Sequence, residues 1–335
     1  MRITRETLLK LAREMVNQQV HDRHDLVSVF LIGSLLYEDA LLGGSTDIDL
    51  VFIHDRQPEV EREIIRLSPE ITFDMTHQPQ TDYSQPRHLR LHPWIGPAIR
   101  DSHIVFHDTQ HWFEFTQASV SSQFYLPENV YGRARQEADR ARQIWLDIQA
   151  NPDQLDIARN FYLKAIESAS NAAASLSGSP LTERRFLVKF PERAQAINQP
   201  GLTQAVLALI GADQIDGEQV QSWLPAWRET YQATAGSPTC SIRLKPERQL
   251  YYEHAIQALL ESPTPAAAVW PLLTTWTEAM VCQPVDATLQ TSWATVCRAL
   301  HLGADEFSHK LEALDAYLDR IDEILENWAK NNGIG

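Results

Sequence analysis

The sequence predicts an α+β chain in which a small mixed β-sheet domain, residues 1–115, is followed by a larger all-α helical domain, residues 116–335. Apolar runs of strand length occur in the first part of the chain. From Pro127 onward the chain is rich in Ala, Leu, Gln, Glu and Arg at helical spacing, with almost no alternation. A length of 335 residues also suits two domains.

The first part of the chain opens with apolar residues at helical spacing, which predict an amphipathic helix over 4–20. Four apolar runs predict strands: 27–32, 48–53, 71–75 and 104–106. Between the second and third strands, the charged stretch 58–67 predicts a helix, and a short helix is predicted near 93–100. These elements make up the predicted sheet domain.

The second part predicts a helical bundle. Breaks are expected at 175–180, at 234–239 and around Pro263 and Pro265. Helices are predicted near 128–150, 153–176, 182–190, 201–210, 216–233, 245–261, 265–281, 287–301 and 304–330.

The charge balance constrains the partners. The chain carries 29 Lys and Arg against 44 Asp and Glu, a net charge of −15. Sequence-independent binding of nucleic acid depends on phosphate neutralisation by Lys and Arg, so the balance disfavours DNA or RNA as a general partner. A cationic small molecule fits this charge more easily.

The compartment is predicted from what the chain lacks. The sequence contains no uncharged apolar stretch that could cross a bilayer, and charges recur through the N-terminus where a signal peptide needs an apolar core. Cys240, Cys282 and Cys297 match neither a disulfide framework nor a zinc pattern. We therefore expect a cytoplasmic chain with reduced cysteines and no membrane partner.

Two carboxylates share one face of the predicted second strand. Side chains alternate in Asp47-Ile48-Asp49-Leu50, so both aspartates point one way while Ile48 and Leu50 enter the core. Neighbouring carboxylates repel each other unless a cation lies between them. This pair therefore indicates a site for a divalent ion.

A third carboxylate comes from the strand 71–75, where Asp74 faces away from the apolar Phe73 and Met75. If this strand pairs beside 48–53, three carboxylates converge, and such oxygen ligands suit Mg²⁺ together with substrate phosphates. Two such ions can hold the attacking and leaving oxygens of an in-line displacement at phosphorus. The chemistry indicated is transfer of a nucleotidyl or phosphoryl group.

A glycine turn precedes these carboxylates. The first strand ends in Gly33-Ser34, where the missing side chain lets backbone N–H groups approach an anion closely. In this order, Gly33-Ser34, Asp47-Ile48-Asp49-Leu50 and the later Asp74 resemble the nucleotidyltransferase superfamily of DNA polymerase β over residues 26–107. With its helical C-terminal part, the chain is most similar in layout to the nucleotidyltransferases that modify kanamycin and streptomycin.

The resemblance implies a Mg²⁺-dependent transfer of a nucleoside monophosphate, AMP from ATP in the first instance, onto a hydroxyl of a small-molecule acceptor. Asp47 and Asp49 would hold the metal, and Asp74 would complete the site as a third ligand or accept the proton of the attacking hydroxyl. Pyrophosphate would leave. The resemblance also leaves open a homodimer with a pocket shared between subunits.

The nucleotide would be held by further residues. The resemblance assigns Gly33 and Ser34 to the phosphates, with Thr46 where a serine often precedes the first aspartate. Relatives often bring a lysine from the helical domain to the phosphates, and Lys189 is the candidate here. A glutamate of the helical domain, Glu137 or Glu167, is a further candidate for activating the acceptor.

One alternative function stays open from the sequence. Many relatives place an Arg-Gly pair shortly after the Gly-Ser turn, whereas this chain has Leu35-Leu36-Tyr37-Glu38. A regulatory or antitoxin-like protein on the same fold, with a degenerate site or with a protein or RNA target, is therefore the second hypothesis.

Overall fold

A five-stranded sheet organises the first part of the chain in a computed structural model that describes residues 3–150 and 154–334. The chain divides into two compact units, a sheet unit up to Asn129 and a helical unit from Val130. The strands are β1 (Leu26–Ile32), β2 (Thr46–His54), β3 (Arg62–Arg66), β4 (Ile71–Pro79) and β5 (Val105–Asp108). The helices of the sheet unit are α1 (Arg5–Asp22), α2 (Pro86–Leu91), α3 (Ile95–Asp101) and α4 (Trp112–Ser121).

The sheet is mixed, as predicted, with the strand order β3-β4-β2-β1-β5. β2 and β4 run parallel, and the other neighbouring pairs are antiparallel. The parallel register places Asp49 directly beside Asp74, and the antiparallel register places Ile32 beside Asp49. Three separate stretches of sequence therefore meet at Asp49.

Helices cover both faces of the sheet. Leu8, Ala12 and Val16 of α1 are fully buried in one core cluster with the even-numbered residues of β2, while Phe113 and Val120 of α4 pack in a second cluster with its odd-numbered residues. Strand alternation explains this division, because successive side chains of β2 point to opposite faces. The aspartates of β2 belong to the odd-numbered set, at the strand's beginning.

The predicted helix at 58–67 is wrong, because β3 occupies this stretch. Its acidic and basic residues are compatible with a helix, but Ile64 and Ile65 are β-branched and favour an extended chain. Pairing along β4, with Glu63 beside Met75 and Ile65 beside Phe73, satisfies the backbone groups of β3. This non-local pairing outweighs a weak local preference.

The helical unit contains no strand within its described residues, in agreement with the sequence. Residue 153, where the second helix of this part is predicted to begin, lies outside the described residues. In residues 3–150 and 154–334, no helix combines the length and apolar character that crossing a bilayer requires. The helices are α5 (Pro127–Ala150), α6 (Leu155–Ser175), α7 (Phe186–Ala196), α8 (Gly201–Leu209), α9 (Gly217–Thr234), α10 (Gln249–Leu260), α11 (Val269–Cys282), α12 (Ala287–Ala299) and α13 (Phe307–Asn331).

The prediction that the cysteines form no disulfide is also wrong. Cys240, in the loop after α9, is bonded to Cys282, the last residue of α11, and their Cα atoms lie 5.0 Å apart. A separation of 42 residues hides this pairing in the sequence, because the packing of α9 and α11 brings the two positions together. Cys297 is a buried thiol. The cytoplasmic location stays a prediction.

Candidate metal centre

Three aspartates converge at one end of the parallel strand pair. Asp49 of β2 lies beside Asp74 of β4, and Asp47 shares their face because it lies two residues before Asp49. Each of the three offers a carboxylate oxygen within 4.8 Å of those of the other two. Asp47 and Asp74 are buried, and Asp49 is half-buried. The convergence that the sequence predicts is therefore present.

Gly33 shapes the position of Asp49. Its backbone, with φ of 76° and ψ of −158°, lies in a region that is open almost only to glycine. A Cβ atom added to Gly33 would overlap Oδ2 of Asp49. The turn after β1 therefore forms a wall against which the Asp49 carboxylate rests, and any larger residue would displace that carboxylate.

Ser34 and Thr46 fasten the loop that connects β1 to β2. The Ser34 hydroxyl donates to the carbonyl oxygen of Ala40 at 3.2 Å, and the Thr46 hydroxyl lies 3.2 Å from the same oxygen. Thr46 is fully buried, and its hydroxyl also lies 3.1 Å from the carbonyl oxygen of Asp47. These contacts hold the loop beside the carboxylates. The assignment of both residues to the nucleotide phosphates stays a prediction.

Arg62 is the residue of this site that the sequence analysis misses. From the edge strand β3, its Nε donates to Oδ1 of Asp74 at 2.7 Å and its Nη2 donates to Oδ2 at 2.6 Å. The side chain of Asp74 is 2% exposed, whereas that of Arg62 is 38% exposed. Arg62, Ile64 and Arg66 occupy every second position. A strand therefore places all three side chains on one face, the face of Asp74, and this spacing was the signal in the sequence.

The donor set fits a magnesium ion. Carboxylate oxygens are the hard ligands that Mg²⁺ prefers, and here they come from two adjacent strands. The Asp49 carboxylate also lies beside the turn at Gly33, whose backbone can approach a phosphate closely. The ion would share Asp74 with the Arg62 guanidinium. Asp47, Asp49 and Asp74 are the residues that would hold it.

The remaining candidates lie in the helical unit. Lys189 is a half-buried residue of α7, and its part in nucleotide binding stays a prediction. Burial raises the pKa of Glu167 on α6, although the nearby Arg243 guanidinium opposes the shift. Arg243 lies 3.4 Å from Glu183 and 3.0 Å from Glu278, so this unit contains a largely half-buried network of carboxylates and guanidinium groups.

A chain of four titratable side chains crosses the other end of the sheet. His54 Nδ1 lies 3.0 Å from Asp25, His54 Nε2 lies 2.9 Å from His77 Nδ1, and His77 Nε2 lies 3.3 Å from Glu63. Burial lowers the pKa of His77, and the Glu63 carboxylate opposes this effect. The contact with Glu63 is the longest.

No family model matches the chain, and no curated protein matches it.

Proposed function

We propose that the chain is a Mg²⁺-dependent nucleotidyltransferase, which moves a nucleoside monophosphate, AMP from ATP in the first instance, onto a hydroxyl of a small-molecule acceptor. The observation that carries this proposal is the convergence of Asp47, Asp49 and Asp74 beside the glycine turn at Gly33. The order of these parts along the chain also resembles the polymerase β superfamily. The net charge of −15 favours a small molecule over nucleic acid as the acceptor.

The reaction is an in-line displacement at phosphorus. The acceptor oxygen forms a bond to the α-phosphorus, the bond from this phosphorus to the bridging oxygen breaks, and pyrophosphate leaves with the bonding electron pair. A divalent ion, when bound, neutralises phosphate charge and orients the phosphate oxygens. Asp47 and Asp49 would hold the ion, and the backbone at Gly33 and Ser34 would contact the phosphates.

Asp74 has two candidate roles, as a third ligand or as the acceptor of the hydroxyl proton. Both of its oxygens accept hydrogen bonds from Arg62. Either role needs an Asp74 oxygen that the guanidinium now holds and stabilises in its charged form. At least one of these two hydrogen bonds must therefore weaken. The geometry thus links the activity of Asp74 to the position of Arg62.

The same contact favours a second candidate function, a regulatory protein on this fold whose site is silent. A guanidinium that permanently occupies Asp74 would replace the metal as the counter-charge of the site. In that case the chain would act through a protein or RNA target. The two functions differ in whether the chain binds a metal–nucleotide complex.

Calorimetry of Mg²⁺-dependent ATP and GTP binding tests the proposal. We expect binding by the wild type in the micromolar range, and loss of binding in the Asp47→Asn/Asp49→Asn variant, because neutral amides hold Mg²⁺ far less strongly than carboxylates. Asp55→Asn, which removes an exposed carboxylate just beyond the end of β2, is the matched control and should bind as the wild type does.

Binding that persists in the double variant would overturn the assigned ligands. An absence of binding in the wild type would overturn the transferase itself and favour the regulatory function. Where binding is established, Asp49→Asn alone should abolish pyrophosphate release with a cationic acceptor, while circular dichroism shows an intact fold.

A further inference from the structure

The edge strand β3 contributes a cation to a site made of carboxylates. Arg62 of β3 contacts both oxygens of Asp74 at once. A planar guanidinium matches a carboxylate in this two-pronged geometry, which is the strongest form of the ion pair. A metal ion that binds Asp74 would share these same two oxygens.

We propose that Arg62 and the metal ion compete for Asp74, so that Arg62 sets the metal affinity of the site; this inference rests on the proposed function. Asp74 is buried and needs a counter-charge in every state of the protein, because an isolated carboxylate is costly away from water. Arg62 supplies that charge when metal is absent. A divalent ion supplies it when metal is bound.

The two partners differ in their freedom to move. The side chain of Arg62 is 38% exposed and lies on an edge strand, so its guanidinium can swing into water. The side chain of Asp74 is 2% exposed and lies between two paired strands, so it stays in place. Exchange of one cation for the other therefore requires Arg62 to change its rotamer while Asp74 keeps its position.

Charge repulsion makes the exchange antagonistic. A metal ion on Asp47, Asp49 and Asp74 would lie close to the guanidinium as long as Arg62 kept its place, and two cations repel one another strongly in a partly buried site. The measured metal affinity then includes the cost of displacing Arg62. Removing the positive charge at this position removes that cost.

The test is metal binding to the full chain without nucleotide, measured with Mn²⁺ by electron paramagnetic resonance and with Mg²⁺ by calorimetry. Arg62→Gln removes the charge but keeps an N–H donor for Asp74, and we expect it to bind the metal at least about ten-fold more tightly than the wild type. Arg62→Lys keeps the charge and loses the second prong, so its affinity should rise by a smaller factor.

Arg66→Gln is the matched control. It removes the same charge from the same face of the same strand, four residues from Arg62, and should change the affinity by less than about two-fold at physiological ionic strength. Metal should also restore the thermal stability that Arg62→Gln loses. A purely structural role for Arg62 would predict a loss of stability that metal does not repair.

The outcomes separate this inference from the proposed function. Wild-type binding with unchanged or weaker binding in Arg62→Gln would overturn the competition and leave the transferase intact. Metal binding by Arg62→Gln and not by the wild type would support the competition. A transferase would then have to displace Arg62 from Asp74 before it could bind the metal. An absence of metal binding in all variants would overturn the competition, and Mg²⁺-dependent ATP binding would then decide the transferase separately. If Arg62→Gln folds only with metal, its folding transition reports the same affinity.

Discussion

Replacing Gly33 by alanine tests how the glycine turn positions the metal carboxylates. The backbone at Gly33, with φ of 76° and ψ of −158°, costs any residue other than glycine about 1–3 kcal/mol. The added Cβ would also overlap Oδ2 of Asp49, and moving that side chain off its rotamer costs about 1 kcal/mol more. We expect Gly33→Ala to lower the free energy of unfolding by about 3 kcal/mol in total.

The contribution of the clash can be separated from that of the backbone. Gly44 also has a positive φ, of 72°, but a Cβ there would meet nothing within 4 Å, so Gly44→Ala tests backbone strain without a clash. In an Asp49→Ala background, Gly33→Ala should cost about 1 kcal/mol less, because Oδ2 is gone. Urea unfolding of the wild type, Gly33→Ala, Asp49→Ala and the double variant forms a double-mutant cycle that measures this difference, and Gly44→Ala is measured alongside.

A cycle that shows no coupling between Gly33 and Asp49 would refute the close approach of the two residues. Metal affinity gives an independent readout. Gly33→Ala should weaken Mg²⁺ binding because the Asp49 carboxylate is displaced, whereas Gly44→Ala should leave it unchanged. Equal affinities in the two variants would refute the idea that the turn positions Asp49.

The remaining predictions concern the histidine chain and the disulfide. Burial lowers the pKa of His77 below the ordinary value of about 6.5, so the unfolded chain takes up a proton at a pH where the folded chain does not. The free energy of unfolding should therefore fall as the pH drops below about 6.5, and urea titrations should show a shallower fall in His77→Gln; equal pH slopes would contradict this. Reducing Cys240–Cys282 should cost up to about 4 kcal/mol by the chain-entropy relation for a loop of 42 residues. The free energy of unfolding of Cys240→Ser should not change with reductant. Two reactive thiols at positions 240 and 282 in the non-reduced native protein would show that the bond is absent.

The alternation of the two predicted strands determined most of the candidate site. In Asp47-Ile48-Asp49-Leu50, the period of two places both aspartates on one face, and the same rule places Asp74 on the face opposite to Phe73 and Met75. This rule is local, so the sequence suffices to apply it. The helix α1, the strands β1 and β2 and the change to a helical chain were predictable for the same reason.

The tertiary structure decided which of these faces meet. The parallel pairing of β2 and β4 sets Asp49 beside Asp74, and a shift of one residue would turn Asp74 away from the other carboxylates. The charged stretch 58–67 forms part of the sheet because β4 offers it an unpaired edge, and only this placement brings Arg62 onto Asp74.

The sequence by itself determined the local periodicities of this protein, and with them the direction of its aspartates. Pairing across long separations in the chain decided the rest: the edge strand, the guanidinium on Asp74 and the bond between Cys240 and Cys282. The physical reason is that these contacts depend on which distant segments pack together, and their free energy exceeds the weak local preferences that a single stretch expresses.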